Sequence, residues 1–311
     1  MVPVSHRGRL CTDCHNRGDI ARALRWEESA RGWKLALLGQ AWDGQWFKRA
    51  FFDDGQPLGS HINPEGKIDL IAQAWAVLSK LAPLPLQRMA LAAVDEHLAD
   101  HQAGLIKLLA PPLVHALPSA GYIQAYPPGV RENGGQYSHG GVWALMAQAR
   151  LGLISGPGGQ NAGDAAYRSF TWLSPAHRAA HPTRGPVYGA EPYAVAGDVY
   201  SAAPYVGRAG WSWYTGAAAW LHRAAVESIF GLQLAAQSLQ FQPSLPSHWP
   251  RAELTLRRDG RTMRFILLRS APDSHWAAQA PAGARLLPVG EALAWPDLPA
   301  DSCFVILLPE G

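Results

Sequence analysis

The sequence predicts a mainly helical body, residues 1–239, followed by a small β-rich domain, residues 240–311. Two observations carry this. Before residue 240, apolar residues recur at helical spacing in five stretches. After Leu239, short apolar runs punctuated by Pro and Gly replace them. The helical stretches are Asp19 to Leu38, Lys67 to Leu81, Leu86 to Leu109, Val142 to Leu151 and Ala217 to Gln233. Two long glycine-rich segments, Gly152 to Gly163 and Arg184 to Gly210, separate the later ones. Connections of that length inside a compact domain are usually functional. In the tail, Leu254–Arg257, Arg264–Arg269 and Cys303–Leu308 read as strands, and so does the shorter Ala284–Leu287.

A chain of 311 residues can bury a sizeable core, as one large or two smaller domains. The net charge of +3 gives no basic footprint for nucleic acid. The 13 tryptophans suit aromatic-lined sugar sites. No apolar run is long enough to span a bilayer, and Met1 opens no signal-peptide pattern. Three cysteines suit a reducing compartment, so a cytoplasmic location is expected. Cys11-Thr-Asp-Cys-His15 matches a haem-attachment pattern. It is set aside, because attachment requires export, and a metal site would need two further ligands at sensible spacing. No metal and no cofactor are expected.

Three polar constellations stand out. Tyr126-Pro-Pro-Gly-Val-Arg-Glu-Asn-Gly-Gly-Gln-Tyr-Ser-His139 joins turn-forming residues to an Arg-Glu pair and a His at the start of a helix, where an anion is favoured. An ordinary tight loop with a capping His fits the same residues. Asp43 lies between Trp42 and Trp46 and next to Gly44. Large rings beside a carboxyl push its pKa up, which suits a general acid. The alternative is an Asx turn before Gly44 with the tryptophans in the core. Gly207 to Gly216 is a glycine- and aromatic-rich loop, and it presents Thr215 and Gly216 at a helix start, for an anion or as a plain cap.

Several segments together resemble the C-terminal part of glycoside hydrolase family 94, the cellobiose and chitobiose phosphorylases and the phosphorylase-like region of cyclic β-1,2-glucan synthases. They are Trp42–Ala50, Asp53–Ser60, Ile68–Trp75, Tyr126–His139, Glu191–Tyr193, Asp198–Tyr200 and Gly207–Gly216. The resemblance implies the C-terminal part of an (α/α)6 barrel followed by a small β-sandwich-like domain. It implies inverting phosphorolysis of a β-glucoside or β-1,2-glucan, with inorganic phosphate as co-substrate. A single catalytic carboxylate is then enough, because phosphate needs no base to activate it. Asp43 matches the acid, so Asp43→Asn is expected to remove most turnover, roughly 10²–10⁴-fold. His139, Thr215 and Gly216 match the phosphate-binding groups, expected to converge in one pocket alongside Asp43. Trp42, Arg49, Arg131 and Glu132 are expected to bind substrate. A further cationic phosphate contact falls to His61 or Lys67.

Relatives of this kind carry a large N-terminal β-sandwich and the first barrel helices ahead of the point matching Met1. The chain is therefore expected to be a C-terminal fragment with an exposed apolar face, partnered by the missing N-terminal half. In relatives of the synthase type this region lies on the cytoplasmic side of an inner-membrane protein. Two further readings stay open. An inverting hydrolase on the same scaffold would take a second carboxylate from Asp198, Glu132 or Glu191. A non-catalytic remnant or binding subunit would follow from an incomplete barrel.

Overall fold

The structure is a computed structural model that describes residues 10–155, 162–270 and 276–309. The glycine-rich connection Gly152–Gly163 thus lies partly outside the described residues. The chain forms two compact units, one of Met1–Leu151 with Arg168–Leu221, the other of Gly152–Tyr167 with His222–Gly311. The division falls at Leu221 rather than at 239. Strand pairing ties residues 232–241 to the tail, because 232–234 pair with 239–241 and 238–239 pair in turn with 293–294. Asp164 likewise belongs with the tail, where its carboxylate accepts the Ser247 amide at 2.6 Å and the Ser247 hydroxyl at 2.8 Å.

In the first unit, α1 (Ile20–Ala36) is capped by Asp19, whose carboxylate accepts the Arg22 amide at 3.2 Å. It buries only Ala23 and leaves Ile20, Leu24 and Leu35 exposed. A π-helical turn, Leu37–Ala41, delivers Trp42. Helix α2 (Leu70–Leu78) is capped by the buried Asp69, which accepts from Ile71 at 2.8 Å and Ala72 at 3.4 Å. Helix α3 (Leu84–His97) packs Leu91 and Val94 against Leu70, Ala74 and Val77, and Ala144 and Ala147 of α4 (Ser138–Ser155) complete that cluster. The sequence pattern ran to Leu109, but α3 stops at His97. The Asp100 carboxylate accepts the Ala103 amide at 2.9 Å, Gly104 takes φ 64°, and the chain returns antiparallel, 99–100 against 105–106. Helix α4 begins four residues before the expected Val142. Glycines allow the close packing there: a Cβ on Gly140 would lie 2.6 Å from a Leu108 methyl, and one on Gly141 2.6 Å from Leu173.

A helix not predicted from sequence, α5 (Ala162–Leu173), follows. Helix α6 (Thr215–Arg223) runs into a π-helical turn, Ala224–Ile229, and is ended by Gly231 at φ 80° rather than at Gln233. The ladder that matters for the site pairs β1 (Gln136–Tyr137) antiparallel with β2 (Asp198–Val199), with Tyr137 opposite Asp198.

The second unit contains two sheets. In the first, β3 (Leu232–Leu234) pairs with β4 (Ser238–Phe241), which pairs with β8 (Leu293–Ala294). The other runs β5 (Arg251–Arg258), β6 (Arg261–Arg269), β9 (Ser302–Leu308), β7 (Arg285–Leu286). Strands β5 and β6 form a hairpin through Asp259 and Gly260, both at positive φ, the Asp-Gly turn that matches strand twist. Phe241 of β4 tilts against Phe265, which stacks on Phe304, with centroids 4.6 and 5.5 Å apart. The strands expected at 254–257, 264–269 and 303–308 all lie within this second sheet.

Candidate active site

The loop from Tyr126 to Tyr137 is built around Asn133, which is fully buried. Its amide nitrogen donates to the carbonyls of Leu113 and Tyr126, each at 2.8 Å, and its oxygen accepts the Leu113 amide at 2.7 Å. The Gly129 amide donates to the Asn133 carbonyl at 2.7 Å, closing the turn. Arg131 sits at φ 49°, a left-handed conformation that costs an L residue energy. Its amide donates to Asp198 Oδ2 at 2.7 Å, across 67 residues. Burial pushes the Asp198 carboxyl above the usual range, and the Arg131 amide and guanidinium oppose that shift. Arg131 lays its guanidinium over the Tyr126 ring at 5.3 Å, and its Nε lies 3.6 Å from Glu132 Oε2. The two residues therefore act as one charged pair.

Asp198 has space only because residue 210 is glycine. A Cβ there would lie 2.2 Å from Asp198 Oδ1. Gly210→Ala is therefore expected to destabilise the chain by about 1–3 kcal/mol through overpacking. A thermal melt of the variant checks this, and an unchanged midpoint would show that the loop yields freely.

His139 is the second residue of α4. Its ring tilts against Trp143, one turn on, at 6.0 Å, and meets the edge of Tyr214 at 5.9 Å. The Tyr137 and Tyr214 hydroxyls are 3.3 Å apart, and burial with that contact pushes the Tyr137 phenol up. The start of α6 also approaches the ring. A Cβ on Gly216 would lie 3.2 Å from His139 Nε2. Thr215 and Gly216, the first two residues of α6, are both exposed, and a helix start leaves N–H groups without intrahelical partners. Burial holds the His139 pKa below the ordinary histidine value. The structure thus brings together His139 and Gly216, 77 residues apart, with Thr215 next in the chain.

Asp43 has other surroundings. Its Oδ1 accepts the amides of Gln45 and Trp46, each at 2.9 Å, the Asx turn. Its Oδ2 accepts the His61 amide at 2.9 Å and the Ser60 hydroxyl at 3.0 Å, with His61 Nδ1 also 3.0 Å away. The Asp43 side chain is 2% exposed. The expected rise in its pKa is corrected. Burial does push the carboxyl up, but the amides of Trp46, His61 and Gln45 more than offset it and hold it below the usual carboxylate range. Asp43 and His139 have no direct contact partner in common among these. Trp46 is in the core, its indole N–H donating to the carbonyls of Gly59 and Lys67.

The other expected residues divide in the same way. Trp42 packs edge-on against Phe47 at 4.9 Å. Arg49 approaches Asp69, Nε to Oδ2 3.4 Å, and lines a cleft of about 300 Å³ with Phe51 and Trp75. His61 is tied to Asp43, and the Lys67 side chain is exposed. Sequence reasoning missed Asn133, Tyr137, Tyr214 and Trp143 as parts of the site. For Trp143 a signal existed, since it follows His139 at the i+4 spacing of one helix face.

Comparison with known proteins gives the family. Residues 9–231 match the glycosyl hydrolase 94 superfamily, catalytic domain, and the chain belongs to that family. The family's catalytic domain is of the (α/α)6-barrel type. The chain is 40% identical over 255 residues to the cyclic β-(1,2)-glucan synthase of Rhizobium meliloti, covering 82% of this chain and 9% of the synthase. It is 32% identical to the solabiose phosphorylase of Paenibacillus borealis, covering 75% of this chain and 28% of that protein. It is 30% identical to the N,N'-diacetylchitobiose phosphorylase of Vibrio proteolyticus, covering 76% and 28%. The chain thus spans less than a third of the length of each of these relatives. They are carbohydrate-active enzymes, and no described helix here is long and apolar enough to cross a membrane.

Proposed function

We propose that this chain carries the phosphate- and sugar-binding part of a glycoside phosphorylase, acting on a β-glucoside or β-1,2-glucan by inverting phosphorolysis. The observation that carries the reading is the meeting of His139 with the exposed start of α6 at Thr215 and Gly216. An imidazole beside a helix start that carries a hydroxyl residue offers the chemistry an oxyanion requires. In this reading inorganic phosphate sits on those three residues. Arg131 and Glu132, held as a pair by Asp198 and Asn133, bind the sugar that phosphate attacks. Arg49 and Trp42 contact substrate further out.

In this reading Asp43 is the general acid: the four donors on its oxygens fix the position of its carboxyl, and substrate with an adjacent phosphate dianion raises its proton affinity so that it can protonate the leaving oxygen. Phosphate is the co-substrate, and the remainder of the barrel is the partner that completes the site.

The test uses sulfate, a dianion of constant charge near neutral pH, and follows the His139 ring by NMR. Because burial lowers the His139 pKa, the free ring is neutral at pH 7. A bound dianion stabilises the protonated ring, so the His139 pKa is expected to rise on binding. Sulfate is then expected to bind more tightly at about pH 6 than at about pH 8. Thr215→Ala is expected to weaken this binding. A His139 titration that sulfate leaves unmoved would remove the anion site.

A further inference from the structure

Three large aromatic side chains stand out in solvent next to this pocket. Tyr193 and Trp211 are each 74% exposed, and Trp213 is 63% exposed. Of these, Tyr193 and Trp213 are in ring contact, and Trp211 precedes Trp213 by two residues; large apolar side chains left exposed together mark interaction surfaces. Their backbone is fixed from below. The Gly197 amide donates to the Trp211 carbonyl at 2.6 Å, and the Tyr214 amide donates to the Val195 carbonyl at 2.9 Å, both on the buried segment 194–199. Trp213, between these two anchors, is held at φ 60°, in the left-handed region. A bulky residue kept in that conformation while its ring is left in water is strain of the kind found at ligand clamps.

The rings of Tyr193 and Trp213 meet at 5.9 Å and 66°, giving an angled pair rather than a closed stack. Trp213 is two residues before Thr215, and the intervening Tyr214 touches His139. The exposed rings are thus continuous in sequence with the anion pocket.

We propose that Trp211, Trp213 and Tyr193 form a platform that stacks glucosyl rings of a β-glucan chain beyond the sugar held at Arg131 and Glu132. The proposal rests on the phosphorolytic reading of the His139 pocket, which makes a glucoside the ligand beside it. Aromatic faces take the C–H faces of pyranose rings, and the indole N–H and phenol O–H reach their hydroxyls. A fixed backbone keeps the loss of freedom on binding small. Extra ring contacts of this kind strengthen binding of a chain without changing how a single sugar or an anion is held.

The test titrates the whole chain with a linear β-1,2-gluco-oligosaccharide by calorimetry, and in parallel with sulfate by the His139 NMR shift. Trp213→Ala and Trp211→Ala are each expected to weaken oligosaccharide binding about tenfold, while sulfate binding is unchanged. Trp213→Tyr keeps a stacking face and is expected to retain most of the affinity. Unchanged affinity in the Trp211→Ala/Trp213→Ala double variant overturns the platform. So does failure of the oligosaccharide to bind the wild-type chain while sulfate still moves His139. A dimer by light scattering that dissociates in the Trp variants would assign the rings to a contact between copies, and would also overturn it. If the oligosaccharide binds and the Trp variants lose it while sulfate leaves His139 unmoved, the phosphate reading fails and the platform stands.

Discussion

Asp43→Asn is expected to lower the stability of this chain by about 2–3 kcal/mol, a loss set by hydrogen bonds to a charged acceptor. The carboxylate accepts from two amides on one oxygen, and from an amide and a hydroxyl on the other. An amide in its place turns an NH2 toward one of these pairs of donors. Trp46 and Phe47 then lose the turn that places them in the core. The melting midpoint should fall by roughly 4–12 °C. The pH dependence follows from the direction of the shift. The folded Asp43 pKa is depressed, so its stabilisation is present above the unfolded value of 3.8 and is lost as pH falls through the folded value. Asp43→Asn should flatten the acid limb of the stability curve. Unchanged glucose 1-phosphate formation by Asp43→Asn in the completed enzyme would remove Asp43 as the proton donor.

Asn133→Ala is expected to cost about 3 kcal/mol, from three lost hydrogen bonds and the buried groups they leave behind. The Leu113 amide and the carbonyls of Leu113 and Tyr126 have Asn133 as partner in the interior. A methyl group satisfies none of them. The midpoint should fall by roughly 6–12 °C. Because the same side chain shapes the turn that carries Arg131 and Glu132, sugar binding should weaken with it, whereas the sulfate response of His139, on a separate helix, should persist. A variant that melts like the wild type would show that water replaces the amide in full.

Much of the architecture is written in local pattern. The spacing of apolar residues from Asp19 to Leu38 gives α1 almost to the residue. The apolar run Arg264–Arg269 and the run Cys303–Leu308 give the two central strands of the larger tail sheet. Each depends on neighbours a few positions apart, which sequence displays directly. The limits of α3 and the unit boundary were not legible in this way. Leu98 to Leu109 keeps apolar residues that suit a helix, yet Asp100 and Gly104 turn the chain into a hairpin. Residues 232–241 leave the helical unit because they form a local hairpin whose second strand, at Ser238 and Leu239, pairs with Ala294 and Leu293, more than fifty residues later.

The site divides along the same line. The sequence alone identified the loop of Arg131 and Glu132, the imidazole of His139 and the Thr215-Gly216 helix start, because glycine, proline and helix-start residues leave local marks. Only the tertiary structure decided that His139 meets Gly216, and that Asp198 holds the left-handed Arg131 from 67 residues away. It also decided the state of Asp43. Two flanking tryptophans suggest an apolar site and a raised pKa, but the charge of a buried carboxyl depends on how many donors reach it. Two of those donors, Ser60 and His61, come from residues 17 and 18 positions further on. Sequence gives the identity of a titrating group, whereas the fold supplies the hydrogen bonds that set its proton affinity.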